Sequence, residues 1–165
     1  MMMMSASPPG GGGDGALRAR APSSPRTPST QKKTATSPST RPAAHPSCPS
    51  PHHLTGQQLG VIRRGDGMVG LYFNVRDVRP DGRANLDTPL SDYVRQIDYL
   101  VDRIGIDRVC FGSDFDGANI SSHIGDVTGL PKLTAALEAH GYDSASLNKL
   151  THDNWLRVLR TTWGA

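Results

Sequence analysis

Hydrophobic positions follow two different patterns in the second part of the chain. Residues 68–73 and 108–112 form short apolar runs, which are typical of strands buried on both faces. Between the runs, apolar residues recur every three or four positions and predict one buried helix face: Leu90, Val94, Ile97, Val101 and Ile104. The pattern therefore predicts a strand–helix–strand unit with parallel strands and a right-handed crossover.

Capping signals predict where these helices begin and end. Thr55 and Gln58 have the spacing of a capping box at the start of a first helix. We expect Thr88 to cap the long helix and Gly105 to end it. Residues 76–87 are predicted to be a polar loop.

The last third of the chain is predicted to be helical. Helices are expected from Pro131, from Asp143 and over residues 154–162, and Trp155 and Trp163 are interpreted as core residues of the last one. Two apolar strands joined through a helix and followed by further helices predict an α/β fold.

Composition divides the chain near residue 53. Residues 1–53 hold ten of the 13 prolines and none of the nine aromatic residues, and they carry six Lys and Arg against one Asp. This low-complexity basic segment is predicted to be disordered, because it has too little apolar surface to offset its chain entropy. Residues 54–165 carry twelve basic and fourteen acidic groups, so the net charge of +3 is the sum of two unlike pieces. No nucleic-acid partner is expected, since no aromatic residues accompany the basic ones.

Several classes of protein are excluded at this stage. No apolar run approaches the roughly 18 residues of a membrane span, and the N-terminus lacks the apolar centre of a secretory signal. Cys48 and Cys110 make neither a disulfide framework nor a zinc-ribbon spacing. We expect a cytoplasmic protein with no membrane contact.

The stretch most informative about chemistry is FGSDFDG, which begins at Phe111 and follows the second predicted strand. The carboxyl ends of parallel strands are where reacting residues of α/β proteins lie. There Asp114 and Asp116 could ligate a metal, hold a substrate amine or act as a general base, or form an acidic turn. A calcium loop is excluded because its third ligand would fall on Ala118.

Residues 54–164 resemble the C-terminal part of the membrane (renal) dipeptidase family, within the metal-dependent amidohydrolase barrels. The resemblance is carried by LTGQQLGVIRR, by GMVGLYF, by the long stretch from RPDGRANLDTPL to GSDFDGANI, and by NWLRVL, in this order. It implies the C-terminal strands and helices of a (β/α)8 TIM-type barrel, present here as an incomplete barrel. The implied activity is hydrolysis of the peptide bond of dipeptides, with a dipeptide or a similar small amide as the expected substrate.

The resemblance also implies roles for individual residues. Asp114 matches the family's catalytic aspartate, which contacts the substrate and carries a proton from a metal-bridging water to the departing amine. Asp116 is interpreted as a turn residue, and Asn154 and Arg157 match a structural helix motif.

A pair of zinc ions is the cofactor that the resemblance implies, but no metal ligand is identifiable in this chain. The family's ligands are an H-x-D, a Glu and two histidines on earlier strands. This sequence has no H-x-D, and its one Glu is Glu138. Arg41 occupies the position of one ligand histidine, and His52 that of the arginine that binds the substrate carboxylate. His52 is therefore kept as a substrate-binding candidate. His123 is kept as another, because it lies in the loop after Asp114 and could line the mouth of the pocket.

Two hypotheses follow from these observations. The first is a zinc-dependent dipeptidase, here in a truncated and inactive version. The alternative is a non-catalytic fragment, or an interaction module that uses the basic disordered tail. Whether the chain forms a homo-oligomer stays open.

Overall fold

A computed structural model describes residues 53–164, which form an α/β fold. Strands β1, Val69–Tyr72, and β2, Val109–Ser113, pair in parallel in a two-stranded sheet. The helices of this part are α1 Gly56–Arg64, α2 Val75–Val78, α3 Leu90–Ile104, α4 Leu130–His140, α5 Ser144–Asn148 and α6 Asn154–Trp163. The predicted disordered segment, apart from His53, lies outside the described residues.

The start of α1 confirms the predicted capping box. The backbone N–H of Gln58 donates to the Thr55 hydroxyl at 3.3 Å, and the backbone N–H of Thr55 donates to the Gln58 side chain at 2.8 Å. Two N–H groups that the helix itself cannot satisfy are thereby paired. Leu59 then anchors the helix to the core, because its side chain is almost completely buried.

The predicted strand–helix–strand unit is present. Helix α3 buries Val94, Ile97 and Ile104 in the same core cluster as Leu71 and Val109 of the two strands. The helix ends at Gly105, whose φ of 85° is a conformation that glycine adopts without a steric penalty. Parallel pairing follows from this crossover, since the chain must return along α3 before the second strand begins.

Two local predictions between β1 and α3 are wrong. Part of the predicted loop 76–87 belongs to the short helix α2, which begins because the Asn74 side chain accepts a hydrogen bond from the N–H of Arg76. Thr88 does not cap α3, because it is fully buried and its hydroxyl donates to the Asn85 carbonyl at 2.5 Å. The helix instead starts after Pro89, without a side-chain cap.

Helix α6 lies against the sheet, and one of its two predicted core tryptophans is not buried. The buried residues of α6 are Asn154 and Val158, and Trp155 packs on Val158, Met68 and Cys110. Trp163 is 75% exposed, so its interpretation as a core residue is wrong. It follows Asn154 by about two and a half helical turns and therefore points away from the sheet.

Charged side chains join α6 to the turns that precede the two strands. Asp66, before β1, accepts hydrogen bonds from Arg108 at 2.7 Å and from Arg157 at 3.1 Å. Arg157 also donates to the Asp107 carbonyl at 2.9 Å. These contacts form a clamp of Asp66, Arg108 and Arg157 at the amino-terminal end of the sheet. Within residues 53–164 no helix has the length and apolar character needed to cross a bilayer.

Candidate functional site

The carboxyl ends of β1 and β2 lie side by side, but their pairing is irregular at the last step. Leu71 pairs with Phe111 and Tyr72 with Ser113, so Gly112 is an extra residue in β2. The Phe73 N–H then donates to the Ser113 carbonyl at 3.0 Å. A bulge of this kind bends a strand and changes the direction of the side chains that follow it. Here the residues that follow are Ser113 and Asp114.

Ser113 and Asp114 both have left-handed backbone conformations, with φ of 57° and 71°. Non-glycine residues rarely adopt this region, and two in succession hold backbone strain of the kind that clusters at functional sites. The turn is closed by the N–H groups of Gly117 and Ala118, which both donate to the Asp114 carbonyl, at 3.3 Å and 3.1 Å. The backbone of Asp114 is therefore fixed.

The Asp114 carboxylate is available for chemistry. The residue is half-buried, and no group within residues 53–164 is hydrogen-bonded to its carboxylate oxygens. The structure thus puts the predicted catalytic residue at the carboxyl end of β2.

An aromatic cluster supports the strand ends beside Asp114. The Phe73 ring contacts Tyr93, Phe111 and Phe115 edge-on, with centroids 5.6–5.9 Å apart. The Tyr93 hydroxyl donates to the Phe73 carbonyl at 2.8 Å, and burial raises the pKa of Tyr93 to about 12. Tyr93 is therefore a neutral donor that holds the end of β1. The sequence pattern did not single out Tyr93, although it precedes Ile97 by four residues and so shares its helix face.

His123 lies on a loop that is joined to the connection before α3. The Ser122 N–H donates to the Leu86 carbonyl at 2.8 Å, and the Ser121 hydroxyl donates to the Thr88 carbonyl at 2.5 Å. The His123 ring is hydrogen-bonded to Asp87 at 2.9 Å, and about half of it is exposed. No hydrogen bond connects it to Asp114 within the described range, so its substrate-binding role stays a prediction. His52 and Arg41 lie outside the described residues.

The remaining candidates have structural positions. Asp116 is exposed on the turn. The Asn154 amide donates to the carbonyls of Ile106 and Val109 at 2.7 Å and 2.8 Å, which agrees with a structural helix motif. Cys110 is fully buried in β2, and burial raises the pKa of its thiol to about 12, so it remains a neutral thiol.

A zinc site requires three or four nitrogen, sulfur or oxygen ligands that converge on one point. In the part of the chain that the structure describes, no three His, Cys, Asp or Glu residues converge in this way. His123 is hydrogen-bonded to Asp87, and Glu138 is exposed on α4. The described residues therefore do not fit the two-zinc centre that the resemblance implies.

In α/β proteins with parallel strands, the reacting groups lie at the carboxyl ends of the strands. The parallel pairing of β1 and β2 and the position of Asp114 put this chain in that class. Within this class, the family model of membrane dipeptidase (peptidase family M19) matches residues 23–163. The chain belongs to this family. The match begins within residues 1–53, and the domain boundary predicted there stays a prediction.

Proteins similar to this chain include one without an assigned function and a solved metallopeptidase. An uncharacterized protein in the pqqA 5′ region of Klebsiella pneumoniae is 50% identical over 131 residues, which are 78% of this chain and 48% of that protein. A solved structure of the metallopeptidase dipeptidase AC is 48% identical with a TM-score of 0.73, and covers 75% of this chain and 37% of its own.

A third relative was solved with a ligand. A metallopeptidase from Rhodobacter sphaeroides, liganded with a phosphinate mimic of the dipeptide L-Ala-D-Ala, is 48% identical with a TM-score of 0.72, covering 74% of this chain and 35% of its own. This chain spans less than half the length of each of these three relatives.

Proposed function

We propose that this chain takes part in hydrolysis of the peptide bond of dipeptides, with Asp114 as the proton-transferring residue. The observation that carries the proposal is the placement of Asp114. It sits at the carboxyl end of β2, on a strained turn, with a carboxylate to which no described group is hydrogen-bonded. Membership of the membrane dipeptidase family supports the choice of substrate.

In this proposal Asp114 transfers one proton from the attacking water to the departing amine. Hydrolysis adds the oxygen of a water molecule to the carbonyl carbon and breaks the bond from that carbon to nitrogen. The departing amine needs a proton to leave as a stable product, and the water has one to lose. A carboxylate within hydrogen-bond reach of both groups takes the proton from the water and delivers it to the nitrogen.

The finer structural part of the proposal concerns the barrel and its metal. The two described strands would be the C-terminal strands of a (β/α)8 barrel of the amidohydrolase type. Zinc, when bound, would supply a hydroxide nucleophile at neutral pH. Its ligands would have to come from outside residues 53–164, since the described residues do not converge on a metal position. The cytoplasmic location also remains a prediction.

We expect Asp114→Asn to abolish hydrolysis of dipeptides such as L-Ala-D-Ala by the full chain, because an amide cannot accept and return the proton. Removing a general acid–base group typically lowers kcat by about 100- to 10,000-fold. The measurement is amino-acid release under substrate saturation, with the thermal midpoint recorded alongside.

Asp116→Asn is the matched control, since it makes the same chemical change on the same turn at an exposed position. Its kcat should stay within about twofold of the parent chain, because surface changes of this kind are nearly neutral. Equal activity of the Asp114→Asn variant and the parent would remove Asp114 from the mechanism.

A chain without dipeptidase activity is the second candidate. It is favoured by the lack of converging metal ligands within residues 53–164. Zinc analysis of the purified full chain separates the candidates. Two tightly held zinc ions together with turnover would reject the inactive chain, whereas no zinc and no turnover would reject the proposed hydrolysis.

A further inference from the structure

Gly117 lies directly beside the Asp114 carboxylate. A Cβ atom built on Gly117 would stand 2.8 Å from Oδ1 of Asp114, 3.6 Å from Cγ and 3.8 Å from Oδ2. These are the three nearest heavy atoms outside the chain neighbours, so a side chain on Gly117 would collide with the Asp114 carboxylate before any other group. A contact of 2.8 Å between carbon and oxygen is too short to persist, and one of the two groups would have to move.

The backbone does not require glycine at this position. Gly117 is absent from the residues with positive φ, whereas Gly105, Gly125, Gly141 and Gly164 have this conformation. An alanine could adopt the same backbone without strain. The cost of a side chain at residue 117 therefore falls on the orientation of Asp114, because a carboxylate rotates about χ1 more easily than backbone moves.

The surroundings leave the carboxylate free to be displaced. Within residues 53–164 no side chain is hydrogen-bonded to Asp114, so among the described residues only its own rotamer and the absence of a side chain on Gly117 set where the carboxylate lies. The backbone of Asp114 is fixed by the N–H groups of Gly117 and Ala118. A methyl group at residue 117 would thus change where the carboxylate points and leave the turn intact.

We propose that Gly117 is a positioning residue for Asp114, whose lack of a side chain sets the orientation in which the carboxylate meets the substrate. The proposal rests on the proposed hydrolysis for its effect on activity. The structural part of the proposal, that Gly117 sets the direction of the Asp114 carboxylate, does not depend on the proposed hydrolysis.

The test compares three single substitutions in the full chain. Gly117→Ala should lower kcat on the order of 100-fold with KM nearly unchanged, because a catalytic group displaced by about 1 Å loses this much. Its thermal midpoint should stay within about 4 °C of the parent. Gly56→Ala is the matched control, since apart from its chain neighbours and its own helix no described atom lies within 4 Å of the position its methyl group would take. It should leave kcat unchanged and should not lower the midpoint, because alanine is the better helix former.

Gly112→Ala is the opposite control, because its Cβ would meet backbone atoms of Gly70 and Leu71 at 2.9–3.1 Å. It should lower the thermal midpoint, which shows that the assay detects a structural glycine. A Gly117→Ala variant with the kcat of an active parent would overturn the proposal.

A crystal structure of Gly117→Ala supplies a readout that does not depend on activity. Displacement of Oδ1 of Asp114 by about 1 Å or more supports the positioning role even if the parent chain hydrolyses no dipeptide, in which case only the proposed function fails. An unmoved carboxylate overturns the positioning role whatever the activity of the parent.

Discussion

Gly112 allows β2 to approach β1 closely at the point where the pairing becomes irregular. Gly70 pairs with Cys110, but the backbones of Gly70 and Gly112 also approach closely, and a Cβ on either would lie 2.9–3.0 Å from backbone of the other. The two strands can keep this distance only while both positions lack side chains. The bulge that leads to Ser113 and Asp114 thus depends on two glycines.

We expect Gly112→Ala to destabilise the chain by about 1–3 kcal/mol, because backbone atoms must move apart to admit the methyl group. Gly60→Ala, inside α1, should instead stabilise the chain by about 0.5–1 kcal/mol through higher helix propensity. Urea unfolding of both variants measures the difference. A Gly112→Ala variant as stable as the parent would mean that the strand ends separate without cost.

The position of Asp114 at a strand end could be predicted from the sequence, while its closeness to Gly117 could not. A carboxylate that directly follows a short apolar run is placed at a strand end by the periodicity alone. The effect of Gly117 depends on the side-chain direction of Asp114, which in turn depends on two consecutive left-handed residues. Asp is more frequent in this region than most residues, but both Ser and Asp usually adopt other conformations, so the pair could not be predicted.

Side chains of helix α6 donate hydrogen bonds to backbone carbonyls of strand β2. Asn154 donates to the Val109 carbonyl and Trp155 to the Phe111 carbonyl, at 2.8 Å and 3.1 Å. These two carbonyls are two positions apart in the strand, and backbone carbonyls two positions apart point to the same side. Side chains of α6 therefore satisfy carbonyls along one side of β2 that would otherwise be buried without a partner.

We expect Asn154→Ala to lower stability by about 1–3 kcal/mol, because it leaves the buried carbonyls of Ile106 and Val109 without this donor. Asn148→Ala is the matched control, since that side chain is exposed at the end of α5. Chemical unfolding at one temperature compares the two variants. Equal midpoints would show that water replaces the Asn154 amide at no cost.

Element boundaries were predictable where the signal was local. Thr55 and Gln58 satisfy each other within one turn, so their spacing alone predicted the start of α1 correctly. Thr88 has the same residue type as Thr55, but it is buried and its hydroxyl is directed to Asn85. Trp163 fits the apolar spacing of α6, yet the face of that helix is set by Asn154 and Val158, a contact with β2 that spacing does not reveal.

One ion pair and two hydrogen-bonded aspartates make the stability of the folded part depend on pH. Lys149 and Asp107 are 2.7 Å apart and join the turn before β2 to the π-helical turn Lys149–Asp153. The hydrogen bond from Lys149 lowers the pKa of Asp107 below its ordinary value of 3.8, and hydrogen bonds from Ser146 and Thr128 lower those of Asp143 and Asp126. The folded state therefore binds these protons less readily than the unfolded chain.

We expect the contribution of these three carboxylates to the free energy of unfolding to be constant above about pH 5 and to fall as the pH drops through the lowered pKa values. The sign follows because, near pH 3.8, the unfolded chain takes up protons that the folded chain does not. Urea titrations at a series of pH values check this. In Asp107→Asn the decline should be shallower, and an identical slope would remove the Lys149 pair as a cause.

The clamp of Asp66, Arg108 and Arg157 also has a consequence for the order in which the chain folds. Its hydrogen bonds join residues 42 and 91 positions apart, whereas the capping box of α1 joins residues three apart. Contacts of such long range form only after the intervening chain has become compact. Docking of α6 would then be a late event, and its release an early step of unfolding, so the clamp governs how long a folded molecule survives more than how quickly it forms.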